Sequence, residues 1–207
     1  TREQFAALFG SEQVRDRLQA LSGPQEREDA IFTMYADTVR KVGDFTYSCA
    51  AIVFYPEIDR RYFHLIYATR HRRGVEVFKE VEQQAMEVQE QTCAEAKQRK
   101  RVRKTQQSEL FSADEMPQAH SIDALRSRYL AQARQRVLNL LKEKSRISYE
   151  DAWDLALSSP LVWDRDVKEW IQVWRGAGSL RIEGMKPRQR VPKLDEENFL
   201  VWQKRSD

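Results

Sequence analysis

Residues 44–81 constrain the fold more than any other part of the chain, because they predict two apolar strands followed by a helix. Residues 45–55 and 62–69 are rich in β-branched and aromatic side chains, and the turn sequence Pro-Glu-Ile-Asp separates them. Apolar side chains occupy both alternating faces of each strand. Since a two-sided hairpin of this kind needs cover above and below, it predicts the margin of a larger sheet flanked by helices.

The chain before residue 44 offers this hairpin helices but no further strand. Residues 1–9, 11–21 and 26–42 have the apolar spacing and the capping residues of three helices. The sequence also opens with Thr1 instead of Met, so we expect it to be part of a longer protein. The strands that complete the sheet are then expected in a preceding N-terminal half or in another chain.

The composition predicts an α+β protein with a substantial core, since 41% of the residues are hydrophobic and 32% are charged. No apolar run approaches the roughly 18 residues of a membrane span, and no signal peptide opens the chain, so we expect a cytoplasmic protein without membrane contact. Cys49 and Cys93 are far apart and lack metal-type spacing, which favours buried thiols in a reducing compartment. The net charge of +3 does not by itself indicate a nucleic-acid partner.

A long helix is predicted from residue 75 onward, and it ends in a strongly basic run at 97–104. Such a run is typical of a solvated helix end, but clustered Lys and Arg also bind nucleic-acid phosphates by releasing counterions. The candidates for that contact are Lys97, Arg99, Lys100 and Arg101. Residues 105–120 are mostly polar and include a proline, so they predict a linker between two domains.

Residues 121–207 predict a second domain with the element order of a winged helix. Three amphipathic helices, at 122–142, 148–157 and 165–175, precede two strands that are joined by a long basic tip. Residues 146–148 predict a short extended link, Ser148 is the predicted cap of the second helix, and Asp164 is the predicted cap of the third. We therefore expect a first domain at 1–104, the linker at 105–120 and the winged-helix domain at 121–207.

The third helix and the basic tip of this second domain present the candidate partner contacts. On the helix these are Arg165, Lys168, Gln172 and Arg175, and on the tip they are Lys186, Arg188, Arg190 and Lys193. A helix and a basic wing on one side are typical of proteins that straddle a nucleic-acid groove. Winged helices also bind proteins, however, and three carboxylates on the same helix would repel phosphate. Trp163, just before this helix, is the tryptophan that we expect to be partly exposed.

The corner between the second strand and the long helix is a candidate ligand site. Thr69, Arg70 and His71 lie where the strand ends and the helix begins, a position where ligands often bind in α/β proteins. The alternative is that Thr69 or His71 simply caps the helix. The sequence has no metal-ligand spacing, no phosphate-binding glycine loop and no nucleophile elbow, so it predicts neither a metal site nor a set of catalytic residues.

Residues 62–81, YFHLIYATRHRRGVEVFKEV, resemble a motif of the three-Cys-motif partner proteins. In that family a strand with a Leu-Ile-x-Ala-Thr pattern leads to a His or Asn, then a Gly, then a helix with an apolar-Met/Phe-Lys pattern. The matching positions here are 65–69, His71, Gly74 and 77–79, and Ser-Glu-Leu-Phe at 108–111 is also similar. The resemblance implies a class I methyltransferase-like fold with a C-terminal extension, and a partner protein that carries three cysteines.

The resemblance also implies that the cofactor site lies outside this chain. The hairpin would be the last antiparallel pair of a seven-stranded sheet, preceded by the glycine-rich loop and the acidic residue that hold S-adenosylmethionine. We therefore expect no cofactor-binding residue here, and S-adenosylmethionine only in the full-length protein. Three functions remain open: the C-terminal half of a methyltransferase-like protein whose winged helix contacts nucleic acid or protein, a non-enzymatic DNA- or RNA-binding protein, or an interaction scaffold that another chain completes.

Overall fold

The computed structural model describes residue 9 and residues 14–55, 61–105 and 120–203, and the structural statements below concern these residues. They form a mixed α+β structure with two small antiparallel sheets. The helices are α1 (Val14–Gln19), α2 (Pro24–Val42), α3 (Arg72–Thr105), α4 (His120–Lys144), α5 (Tyr149–Leu157) and α6 (Asp164–Gly176). The strands are β1 (Tyr47–Phe54), β2 (Arg61–Thr69), β3 (Arg146–Ser148), β4 (Leu180–Glu183) and β5 (Phe199–Trp202). Most of the predicted first helix, the turn between the two apolar strands and nearly all of the predicted linker lie outside the described residues.

β1 and β2 form the predicted antiparallel hairpin, with Tyr47 opposite Thr69 and Ala51 opposite Leu65. The middle of β1 is buried. β2 is more open, because Phe63 and Leu65 expose 46% and 48% of their surface. Within the described residues no third strand joins this sheet, so the larger sheet that the sequence predicts is not formed by them.

A glycine lets α3 start directly beside the end of β2. A Cβ atom added at Gly74 would lie 2.8 Å from Thr69 Oγ1 and 2.9 Å from the Tyr67 hydroxyl. The Tyr67 ring stacks on Phe78 with their centroids 5.0 Å apart, which holds the first turns of the helix against the strand. The helix therefore begins at Arg72, slightly earlier than the predicted start.

α2 covers the hairpin less completely than its apolar stripe predicts. Phe32 stacks on His64 of β2 with ring centroids 4.8 Å apart, so the helix lies along that strand. No residue of α2 is fully buried, and Ile31, Tyr35 and Val42 are exposed. An amphipathic helix normally buries its apolar stripe. The exposed apolar residues of α2 therefore leave apolar surface open to solvent beside the hairpin.

The C-terminal region combines α4, α5 and α6 with a three-stranded antiparallel sheet in the order β3–β5–β4. The segment predicted as an extended link is strand β3, in which Ile147 lies opposite Leu200 of β5. Ser148 caps α5 as predicted, because its hydroxyl accepts a hydrogen bond from the Asp151 amide at 2.9 Å. Ile147, Leu200 and the large side chain of Trp153 are buried in the core of this region.

Two expectations about the start of α6 are wrong. Trp163, and not Asp164, occupies the N-cap position, and the Asp166 carboxylate accepts a hydrogen bond from the Trp163 amide at 2.8 Å. Asp164 instead accepts a hydrogen bond from the Trp153 indole at 2.9 Å. Trp163 is buried instead of partly exposed, because its indole nitrogen faces Glu82 of α3.

A continuous hydrophobic core includes residues from the hairpin, α3 and the C-terminal region. Its members include Ile52 of β1, Val75 and Met86 of α3, and Val162 and Trp163 beside α6. The hairpin, the long helix and the C-terminal region therefore share buried side chains, and the functional surfaces must lie around this common core.

Candidate functional site

The junction between β1, α3 and the C-terminal region contains a buried ion pair. Lys79 and Glu82 lie about one turn apart on α3, and their side chains are 3% and 2% exposed. The Lys79 ammonium donates a hydrogen bond to Glu82 Oε2 at 2.9 Å. It also donates to the backbone carbonyls of Ala50 at 3.1 Å and Ser159 at 2.6 Å. Each of the three donors of the ammonium group therefore has an acceptor.

Glu82 completes this junction with two hydrogen bonds from the C-terminal region. Its Oε1 atom accepts from the Leu161 amide at 3.0 Å, and its Oε2 atom accepts from the Trp163 indole nitrogen at 3.2 Å. Buried charges are tolerated when they are paired and hydrogen-bonded, and both conditions hold here. Because the pair is almost inaccessible to solvent, it connects elements of the fold and does not offer a catalytic acid and base.

Arg72 makes a second connection between the start of α3 and the C-terminal region. Its guanidinium lies 3.0 Å from Glu150 and donates two hydrogen bonds of 3.3 Å to the Asp154 carboxylate. Burial lowers the pKa of Arg72, but the hydrogen bond and the charge of Asp154 outweigh it and hold that pKa above its usual value. Burial also raises the pKa of Asp154, although Arg72 opposes that shift. The partners are far apart in the chain, so no local sequence signal could reveal this cluster.

The predicted corner site consists of residues that organise the turn itself. The Thr69 hydroxyl accepts a hydrogen bond from the His71 amide at 3.1 Å, a local turn contact just before the first residue of α3. Arg70 donates to the carbonyls of Asp44 at 3.0 Å and Gly43 at 2.8 Å, so it ties the corner to the turn before β1. The His71 side chain is exposed. The geometry of the corner therefore explains Thr69 and Arg70 structurally and leaves His71 open to solvent.

Both cysteines are buried, and they form no disulfide. Burial raises the pKa of the Cys49 thiol to about 12, and the nearby charges of Lys79 and Glu82 oppose each other in their effect on it. A thiol that stays protonated at neutral pH is a poor nucleophile. Cys49 is therefore a packing residue of β1.

Arg165 is exposed and Lys168 is partly exposed, and both lie on the N-terminal half of α6 beside a cleft that α3 also lines. Both line a cleft of about 570 Å³ whose other wall includes carboxylates of α3. Arg165 lies over the Trp163 ring at 4.8 Å, and Lys168 forms an ion pair with Asp164 at 2.5 Å. These two cations are therefore engaged within the protein.

Two lysines of the wing, the segment between β4 and β5, have comparable surroundings. Lys186 forms an ion pair of 2.8 Å with Glu196 across the base of the wing. Lys193 is exposed and lines the same cleft as the start of α6. Lys186 is therefore paired within the protein, and Lys193 belongs to the wall of the cleft.

Three of the remaining predicted contacts lie at the end of α6 and in the wing, and we call them together the wing arginine surface: Arg175, Arg188 and Arg190. All three are exposed, as is Gln172 one turn before Arg175. The Arg175 guanidinium donates to the Arg190 carbonyl at 3.4 Å, which joins the end of α6 to the wing. Among the described residues, no carboxylate forms an ion pair with any of these three arginines, so their charges are available to a partner.

The basic end of α3 is helical as far as Thr105. Arg99 and Lys100 are exposed there, as a solvated helix end requires. The side chains of Lys97 and Arg101 lie outside the described residues. The predicted phosphate contact of this run remains a prediction.

A further concave surface, which no sequence motif indicated, is a cavity of about 920 Å³. Its walls come from α2, the start of β1, α4 and the end of α5. Sequence reasoning missed it because its lining residues are ordinary helix residues that only the packing of distant elements brings together. We call it the interhelical cavity.

The described part of the chain contains no group of three or more His, Cys, Asp or Glu residues that could hold a metal ion. None of the described helices is both long enough and apolar enough to cross a membrane. The sequence matches no protein-family model, no curated protein and no solved structure.

Proposed function

We propose that this chain is the C-terminal part of a methyltransferase-like protein of the three-Cys-motif partner type. In this proposal β1 and β2 are the last antiparallel pair of a larger sheet, and the C-terminal region is a winged-helix domain that contacts a partner. The observation that carries the proposal is the half-exposed state of Phe63 and Leu65 on β2. Large apolar side chains on a strand whose outer edge has no partner among the described residues are typical of a sheet that continues.

The neighbouring helix supports the same interpretation. Val77, Val81 and Val88 follow one another at helical spacing on α3, and they are 44%, 56% and 63% exposed. A further strand beside β2, with its own flanking helix, would bury apolar surface of this kind. The resemblance of residues 62–81 to the family motif assigns this covering segment to the N-terminal half of the same protein.

The winged-helix assignment is supported by the order and pairing of the C-terminal elements. A helix, a short strand, two helices and a strand pair follow one another, and the three strands form one antiparallel sheet in the order β3–β5–β4. The long connection between β4 and β5 then corresponds to the wing. This arrangement presents α6 and the wing arginine surface on adjoining elements.

Hydrogen exchange tests the sheet assignment. In the 207-residue chain, the outward-facing amides of β2 should exchange rapidly, whereas in the longer natural protein they should be protected because another strand accepts their hydrogen bonds. The β1 amides that already bond to β2 serve as the internal control. Equal exchange of β2 in both proteins, or a natural reading frame that lacks an upstream glycine-rich strand–loop–helix segment, would contradict the assignment.

A second candidate function, contact with nucleic acid, is favoured by the wing arginine surface, whose guanidinium groups form no ion pair with any carboxylate of the described ranges. Phosphate contacts by Arg release counterions, so binding should weaken steeply with salt. Replacing both Arg188 and Arg190 by Ala should lower the slope of log K against log salt by about 2 for duplex DNA, measured by fluorescence anisotropy. The matched control replaces Lys186 and Glu196 by Ala, which removes an internal ion pair at constant net charge and should leave the slope unchanged. Absence of binding at low salt, or equal slopes for all three proteins, would exclude this function.

A further inference from the structure

The interhelical cavity has the dimensions and the position of a small-molecule site. Its volume of about 920 Å³ falls in the range of 300–1,000 Å³ that is typical of ligand pockets. It also lies between the N-terminal helices and the C-terminal region, and pockets often form where two such parts of a protein meet. Phe32, Tyr47, Val75, Leu155 and Pro160 contribute apolar surface to its wall.

The carboxylates of this cavity are already neutralised by cations of the protein. Asp29 pairs with Arg128 at 2.7 Å, and it also accepts a hydrogen bond from the Tyr129 hydroxyl at 2.7 Å. Asp37 lies 3.8 Å from Arg40 on the next turn of α2. The third carboxylate, on α5, is the one that holds Arg72. The wall therefore has no acidic group left to bind a cation.

One cation of the wall has no such partner. Arg136 of α4 lines the cavity, its side chain is accessible to solvent, and its guanidinium donates to the Ser159 hydroxyl. Within the described residues no carboxylate forms an ion pair with it. The surrounding protein partly desolvates the guanidinium and lowers its pKa, so a bound anion would replace hydration that the cavity has removed. A guanidinium has several donors in a planar fork that matches carboxylate and phosphate oxygens.

We propose that the interhelical cavity binds a small organic anion, with Arg136 as the residue that binds the carboxylate or phosphate group and the apolar wall as the site of its hydrocarbon or aromatic body. The Arg136 guanidinium binds and orients the charged group of the ligand. The rings of Phe32 and Tyr47 offer a surface on which an aromatic part of the ligand can pack. This inference does not depend on methyl transfer or on a nucleic-acid partner. It concerns a different surface from the wing arginine surface.

Three probes separate the contributions of charge and apolar body: phenyl phosphate, inorganic phosphate and phenol. Isothermal titration calorimetry with the 207-residue chain should show binding of phenyl phosphate that is tighter than binding of either other probe. Arg136→Gln should weaken the binding of phenyl phosphate about tenfold or more, because it removes the charged hydrogen-bond donor. The matched control is Arg134→Gln on the same helix, since Arg134 lies over Trp174 at 5.7 Å and is not part of the cavity wall.

A second variant, Ala131→Trp, tests the cavity without changing any charge. It gives a result even if Arg136→Gln fails to fold. Ala131 lies on the exposed part of the cavity wall, so Ala131→Trp should fill the cavity, leave the net charge unchanged and abolish binding of phenyl phosphate. The proposal is overturned if the unmodified chain binds no probe, or if inorganic phosphate binds as tightly as phenyl phosphate. It is also overturned if Arg136→Gln binds as tightly as Arg134→Gln, or if Ala131→Trp binds like the unmodified chain.

Discussion

At the level of single residues, the most consequential side chains are two charges that the fold removes from water. Lys79 and Glu82 are both buried, and their hydrogen bonds join β1, α3 and the segment between α5 and α6. A buried ion pair adds little net stability compared with a well-packed apolar pair, but removing one partner leaves the other charge uncompensated. The two residues therefore matter most when only one of them is changed.

Replacing Lys79 by Met should destabilise the protein by about 3–5 kcal/mol, because the Glu82 carboxylate then stays buried without its cation. The double variant Lys79→Met with Glu82→Leu should lose less than the sum of the two single variants, since it removes both charges. Chemical denaturation of the four proteins gives this double-mutant cycle.

The control for this cycle is Lys168→Met, which breaks the partly exposed ion pair with Asp164. Pairs of that kind contribute about 1 kcal/mol or less. A loss at Lys79 no larger than the loss at Lys168, or additive losses at Lys79 and Glu82, would show that the buried pair is not coupled as described.

The raised pKa of the Cys49 thiol predicts that the protein loses stability at alkaline pH. Its pKa is about 12 in the folded protein, above the value of 9.0 for an unperturbed thiol, so the unfolded chain loses this proton first as the pH rises. The stabilisation is complete below about pH 9, and it should fall by about 1.4 kcal/mol for each pH unit between about 9 and 12. Cys49→Ala should show a shallower decline over this interval when its free energy of unfolding is measured against pH. An equal slope for both proteins would mean that the thiol does not titrate differently on unfolding.

At the level of elements, local signals predicted most helices and strands, because each is set by residues near its own ends. Ser148 and Asp151 cap α5 as the sequence indicates, and the alternating apolar residues give the hairpin. The start of α6 differs from the prediction because a tertiary contact engages the predicted cap, Asp164, whose carboxylate accepts a hydrogen bond from the Trp153 indole. The Asp166 carboxylate instead accepts the hydrogen bond from the Trp163 amide.

The close contact between the end of β2 and the start of α3 predicts that a methyl group added at Gly74 destabilises the protein. Gly74→Ala should destabilise the protein by about 1–3 kcal/mol, because the new Cβ atom would lie within 3.0 Å of both Thr69 and Tyr67 and overpacking outweighs the gain in helix propensity. Gly176→Ala is the matched control, since no atom lies within 4 Å of its added Cβ and the substitution should be neutral or stabilising. Thermal unfolding of both variants provides the comparison. Similar melting temperatures would contradict the close approach at the corner.

At the level of the whole molecule, the candidate sites depend on contacts that sequence patterns could not predict. The basic residues of α6 and the wing were recognisable as a set, but only the structure separates the engaged Lys168 and Lys186 from the open wing arginine surface. The interhelical cavity combines residues from α2, β1, α4 and α5, which are distant in the chain. Such sites arise from packing, and single-sequence periodicity reports only which face of an element is apolar.

The shared core predicts that the hairpin, α3 and the C-terminal region unfold together. All five tryptophans lie after residue 150, so their fluorescence reports on the C-terminal region, whereas far-ultraviolet circular dichroism also reports on α2 and α3. The two transitions should have the same midpoint in denaturant, as for one cooperative unit. Lys79→Met should separate them if the buried pair is the main connection. Separate midpoints in the unmodified chain would show two independent units.

The position of Trp163 also gives the molecule an optical property. Its indole nitrogen donates to the carboxylate of Glu82, so an aromatic fluorophore of one region senses a charge that belongs to the other. If this contact opened, water would replace the Glu82 carboxylate beside the Trp163 indole, and the fluorescence emission of that tryptophan would shift. The protein thus carries an intrinsic, label-free indicator of whether its two regions are closed on each other.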